Sequence, residues 1–199
     1  MKKKKIKIGI TGNIGSGKSV FSKLIEEQGY KVIYADELSK EILDKDKNVR
    51  KKVIELFGTN SYIKSGVNSK YIAEKVFQDY NLLKALEKIL HPIVINKSEE
   101  LLNHYLDVSE MVFLEAALIY EADMEKYFDY IVLITADKKI RFERKQSSSG
   151  MNADDFEKRD LMQIAEDEKK KRADFIFENN SDLNSLKQKA LLLITLLKN

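Results

Sequence analysis

The chain has 199 residues, 43% hydrophobic and 34% charged, with a formal net charge of +3. This is the balance of a soluble globular protein with one sizeable core. The small positive charge suits an anionic small-molecule substrate without calling for nucleic acid. No cysteine is present, which excludes a disulfide framework or a thiolate site and fits a reducing, cytoplasmic setting. No apolar run is long enough to span a bilayer. The Gly-interrupted stretch after the solvated lysine lead-in Lys2–Lys5 is too short for a signal peptide.

Ile6-Lys-Ile-Gly-Ile10 alternates and is β-branched, so it predicts a strand. The segment Gly12-Asn13-Ile14-Gly15-Ser16-Gly17-Lys18-Ser19 follows, matching a phosphate-binding loop. Its glycines let the backbone turn and aim N–H groups at phosphate oxygens. Lys18 has the reach for β- and γ-phosphates, and the Ser19 hydroxyl is of the type that ligates Mg²⁺. Val20, Phe21, Leu24 and Ile25 recur at helical spacing up to Gly29, so a helix dipole adds to the anion site. Val20 completes the candidate nucleotide-binding segment.

Further short apolar runs predict strands at Lys31–Tyr34, Met111–Leu114, Tyr130–Ile134 and Phe175–Phe177. Alternation with helices argues for an α/β fold with a parallel sheet covered on both faces. Leu183–Leu197 reads as a closing helix capped near Ser181 or Asp182. Residues 37–105 lack a buried strand and read as a mostly helical insertion, a place for substrate recognition. Residues 138–172 are highly charged around the flexible tip Ser147–Gly150, and read either as a lid over phosphates or as a solvated helical hairpin.

Asp36 directly follows the second strand, where parallel sheets bind ligands. It reads as a general base toward a substrate hydroxyl or as the cap of the next helix. Glu115 ends a hydrophobic strand, as a metal-holding carboxylate or an exposed strand end; Glu121 is a second polar candidate. His91 precedes the single proline of the chain, in a helical pattern that Pro92 should start or kink. It reads as an anion-binding or a packed histidine. Arg141, Arg144 and Lys145 lie in the 138–172 region, where arginine suits a transferring phosphoryl group. Lys169–Arg172 read as a solvated face. Thr135-Ala136-Asp137-Lys138 stands where a GTP-binding switch protein would carry Asn-Lys-x-Asp.

Together these residues resemble the dephospho-CoA kinase family. The resemblance runs over nearly the whole chain: the phosphate loop, Val32–Asp36, Val76-Phe77 with Asp79, Leu86–Pro92, Ala117–Glu121, Arg159 with Gln163, and Ala173-Asp174 with Asn179. It implies a phosphate-loop three-layer α/β/α fold with a five-stranded parallel sheet. The nucleotide-binding core is expected at 1–36, 106–137 and 173–199, an acceptor-binding insertion at 37–105 and a lid at 138–172. It implies transfer of the ATP γ-phosphate, with Mg²⁺, to the ribose 3′-hydroxyl of dephospho-CoA, by a monomer or weak homo-oligomer. Asp36 then becomes the base, His91 and Glu121 acceptor-site residues, Arg141 and Arg144 lid contacts to phosphate, and Asn179 a neighbour of the adenine. Asn13 replaces a usual glycine, tolerable because Asn accepts a left-handed backbone. Tyr34, Ser69, Glu115 and Ala117 also depart from the family pattern, and the lid arginines stand one residue closer than usual, leaving Arg144 and Lys145 as alternative counterparts. Other phosphate-loop kinases, acting on nucleosides, nucleotides or shikimate-like alcohols, are the neighbouring reading.

Overall fold

The computed structural model describes residues 5–198; apart from Lys5, the lysine lead-in lies outside them. In chain order the elements begin with β1 (Ile6–Thr11), α1 (Lys18–Glu26), β2 (Lys31–Tyr34), α2 (Ala35–Lys45) and α3 (Lys47–Phe57). A short hairpin follows, β3 (Tyr62–Ile63) and β4 (Gly66–Val67), then α4 (Ser69–Gln78) and α5 (Tyr80–Leu106). The chain continues through β5 (Met111–Glu115), β6 (Tyr130–Thr135), α6 (Lys138–Ser149), α7 (Ala153–Leu161), α8 (Glu166–Arg172), β7 (Phe175–Glu178) and α9 (Leu183–Lys198). It divides into two compact units, one of the chain up to Ile33 and from Leu101 onward, the other Tyr34–Glu100.

The first unit is built on a five-stranded sheet in the order β2-β5-β1-β6-β7. β1 runs parallel to both of its neighbours, and β6 runs parallel to β7. Every residue of β5 and all but the first of β6 are buried, as expected of strands covered on both faces. Phe21, Leu24 and Ile25 bury one face of α1, and α9 packs against it through a stripe of Leu186, Ala190, Leu193 and Ile194. Asp182 accepts from the Ser185 amide at 2.8 Å and so caps α9. Asp174 explains one family element: it accepts from the Ile131 amide at 2.7 Å and donates its own amide to Ile131 at 3.0 Å, registering β7 on β6.

α6 and α7 form a hairpin, joined by an edge-on Phe142–Phe156 contact at 5.5 Å and by Lys138–Glu157 at 2.7 Å. The tip is shorter than the serine run suggests. Ser147–Ser149 complete the last turn of α6, where the Ser149 hydroxyl bonds the Lys145 carbonyl, and the helix stops at Gly150 in the left-handed conformation.

The second unit is mostly helical, as read from the pattern, plus a hairpin too short to leave a periodic signal. Val49, Val53, Phe57 and Ile72 are buried. Tyr62 donates to the Leu43 carbonyl at 2.6 Å, and Asp44 accepts the Val67 amide at 2.9 Å, tying the hairpin to α2. Pro92 lies inside α5, which continues through it; proline removes one helical donor there.

Candidate active site

The loop from Gly12 to Gly17 leaves the carboxyl end of the central strand and enters α1, whose N-cap is Gly17 at φ 97°. A Cβ on Gly17 would sit 2.2 Å from the Asn179 amide nitrogen, and one on Gly15 would sit 2.4 Å from the Arg141 carbonyl oxygen. These glycines therefore allow close packing under the loop as well as the turn itself. Asn13 is buried and is not in the left-handed region, where Asp123 is the non-glycine residue among those described. The loop accommodates Asn13 because its backbone there is ordinary, not because asparagine relieves strain.

The key side chains converge on Glu115. Ser19 Oγ donates to Glu115 Oε2 at 3.2 Å, and Lys18 Nζ lies 3.6 Å from Oε1. Glu115 is buried and stands beside Ile10 in the register of β5 on β1. Sheet pairing thus carries the carboxylate to the loop, so Glu115 is not an exposed strand end. A cleft of about 880 Å³ opens over Gly15, Gly17, Lys18, Ser19 and Val20, walled by α6 and by Asn180–Ser181; this is the size of a small-molecule site.

Arg144 and Lys145 both line that cleft. Arg144 donates to the carbonyls of Asn179 at 2.8 Å and Ser16 at 3.4 Å. Burial lowers its pKa, yet a guanidinium stays charged, and these neutral partners leave that charge for an anion. Asn179 Nδ2 donates to the Ser16 carbonyl at 2.8 Å, directly under the loop. Arg141 differs from the expected phosphate contact. It is buried, donating to Asp160 Oδ1 at 2.6 Å and to the carbonyls of Ile14 and Ala136, each at 3.1 Å. Its charge is met by Asp160, and it pins the α6–α7 hairpin to the phosphate loop.

Asp36 is exposed in the first turn of α2, which begins at Ala35 with Tyr34 as its cap residue. The helix thus starts earlier than a cap at Asp36 would require. His91 is half-buried on α5. Glu121, expected at an acceptor site, is instead paired to Lys169 Nζ at 2.9 Å and accepts the Ile164 amide at 2.8 Å. Lys169, read as solvated, is 0% exposed. A run of four cations on a seven-residue helix gave no signal of which one turns inward. Gln163 was visible only as part of the family spacing; its Oε1 accepts the Ile14 amide at 2.7 Å.

A phosphate loop at the end of the central strand of a parallel sheet, with cations from a helical hairpin beside it, defines a phosphate-loop kinase fold. Asp137 leads straight into α6, in place of a guanine-reading element. The family model described as dephospho-CoA kinase matches residues 6–185. Dephospho-CoA kinase of Protochlamydia amoebophila is 35% identical over 185 residues, covering 92% of this chain and 91% of that one. The Fusobacterium nucleatum enzyme is 35% identical over 183 residues, covering 92% and 93%. Dephospho-CoA kinase from Campylobacter jejuni superposes with a TM-score of 0.72 at 25% identity, covering 95% of each chain. Shikimate kinase from Acinetobacter baumannii, at 16% identity and a TM-score of 0.60 over 97% and 94% of the two chains, shares the fold. The chain belongs to the dephospho-CoA kinase family, ATP-dependent transferases of coenzyme A biosynthesis. Among the described residues no helix is long and apolar enough to cross a membrane.

Proposed function

We propose that this chain transfers the γ-phosphate of ATP to the ribose 3′-hydroxyl of dephospho-CoA, with Lys18 and the amides of residues 12–19 holding the phosphates. The observation that carries this reading is the convergence of Lys18 and Ser19, two residues lining the cleft, on buried Glu115. In the reaction the 3′-oxygen bonds to the γ-phosphorus and the bond to the β–γ bridging oxygen breaks. ADP leaves, and the hydroxyl proton passes to Asp36. Asp36 is supported by its exposure two residues past the end of β2, because parallel sheets bind ligands beyond their carboxyl ends. Arg144 stabilises charge on the transferring group from the cleft wall, and Val20 and Asn179 shape the nucleotide side. His91, in the insertion at 37–105, contacts the acceptor, and 138–172 serves as the lid.

Mg²⁺ takes few protein oxygens and completes its shell with phosphate and water. A serine hydroxyl and a carboxylate oxygen 3.2 Å apart fit that demand. Ser19 and Glu115 would hold the ion, which when bound neutralises charge on the β- and γ-phosphates. Catalysis by the chain itself is then positioning and electrostatic stabilisation.

The test is a coupled assay for ADP with ATP, Mg²⁺ and a panel of alcohols. Turnover is expected with dephospho-CoA. Phosphorylation of a nucleoside or shikimate and none of dephospho-CoA would overturn the acceptor assignment.

A further inference from the structure

A buried ion pair lies behind the phosphate loop and takes no part in the chemistry above. Lys169 Nζ is 2.9 Å from Glu121 Oε1 and 3.4 Å from the Ala117 carbonyl. The same Glu121 oxygen accepts the Ile164 amide. Residues 163 and 164 then turn to the loop: Gln163 accepts the Ile14 amide at 2.7 Å, and the Ile164 carbonyl accepts from Asn13 Nδ2 at 3.4 Å. A second route is shorter. The Ala117 carbonyl also accepts from Thr11 Oγ1 at 3.3 Å, one residue before the loop.

We propose that Lys169 is a positioning residue for the phosphate loop, holding Glu121 so that the 163–164 segment fixes the backbone of Asn13 and Ile14. A fully buried ammonium is costly unless it is met by a charge and hydrogen-bonded. Glu121 and the Ala117 carbonyl meet it here. Burial lowers the Lys169 pKa, the Glu121 hydrogen bond and charge oppose this, and the charge of Lys18 lowers it further. Lys169 is therefore within electrostatic reach of the phosphate-binding lysine. Loop amides must be aimed at phosphate oxygens before ATP arrives, so loosening this clamp weakens the nucleotide side and spares the acceptor side.

This inference rests on the ATP-dependent kinase reading, and the two fail separately. Lack of turnover of dephospho-CoA by the natural protein sinks the reading, whereas ATP dissociation constants test the clamp. Lys169→Met is expected to raise the ATP dissociation constant and the KM for ATP at least about 10-fold, with the KM for dephospho-CoA unchanged within two-fold. Lys170→Met, a half-exposed neighbour paired to Glu166 and Asp167, should change neither. Because Lys169→Met strands a buried carboxylate, the Lys169→Met/Glu121→Gln pair is measured too. It removes both charges and keeps an acceptor for the Ile164 amide. Recovery of the melting temperature with ATP affinity still impaired supports positioning; recovery of both shows a merely structural pair and overturns it. Gln163→Leu should weaken ATP binding likewise, and combining it with Lys169→Met should add little. Fully multiplicative losses would also overturn the clamp.

Discussion

Arg141 grips Asp160 with both terminal nitrogens, at 2.6 Å to Oδ1 and 3.4 Å to Oδ2, while the same guanidinium bonds the Ile14 carbonyl. The α6–α7 hairpin is thereby fastened to the phosphate loop by a nearly buried ion pair, with side-chain exposures of 6% and 13%. Removing one partner of such a pair leaves an uncompensated charge. Asp160→Ala is expected to cost about 3–5 kcal/mol and to lower Tm by about 10 °C. A shift below about 2 °C in a thermal melt would show that the pair holds little.

The same pair makes a pH prediction. Burial alone would raise the Asp160 pKa, but the Arg141 hydrogen bond and charge, with Lys138, hold it below the ordinary 3.8. A carboxyl with a depressed folded pKa contributes fully above its unfolded value and loses that contribution as pH falls through the folded one. The stability advantage of the natural protein over Asp160→Asn should therefore be full at pH 5 and shrink below about pH 3.8. Urea midpoints at pH 5 and pH 3 check this; a constant gap refutes it.

Lys18→Ala and Asp36→Asn should each lower kcat at least about 10²-fold, but in different ways. Lys18→Ala should also weaken ATP binding. Asp36→Asn should leave the ATP dissociation constant and the far-UV circular dichroism unchanged. Near-normal turnover in Asp36→Asn would remove the base assignment.

Glu115→Gln keeps the shape of the side chain and a hydrogen-bond acceptor while removing the charge facing Lys18. The Mg²⁺ concentration for half-maximal turnover should rise several-fold, and Ser19→Ala should move it in the same direction. An unchanged Mg²⁺ dependence in both variants would detach these oxygens from the metal.

Gly17→Ala adds a Cβ at 2.2 Å from Asn179 Nδ2, at a backbone φ of 97°. Strain of about 1–3 kcal/mol and displacement of Asn179 should follow, seen as a lower Tm and weaker ATP binding. Relief by Asn179→Ala in the same chain would identify the clash as the cause; if the double variant binds ATP no better, backbone strain alone is responsible.

Much of the fold was legible because its signals are local. The five strands of the main sheet are short apolar runs, and the β1–loop–α1 unit is written in the consecutive residues 6–26. The two-residue strands of the β3–β4 hairpin carry no periodicity, so the insertion read as mostly helical with no strand signal. Ser147–Ser149 looked like a loop by composition, yet hydrogen bonding along α6 carries them to Gly150. At the site, Lys18, Ser19 and Glu115 were each recognisable by type and by position next to a strand.

The sequence alone determined the phosphate loop, the apolar strands beside it and the family, because each depends on neighbours within a few residues or on an ordered set of motifs. Tertiary structure alone decided who meets whom beneath the loop. Gln163 reaches Ile14 across 149 positions and Asn179 reaches Ser16 across 163. Arg141 turned inward because Asp160 compensates it, and Lys169 was buried against Glu121 because α8 packs on β6. A charged side chain is tolerated inside only where an opposite charge arrives from another element, and no local pattern announces that arrival.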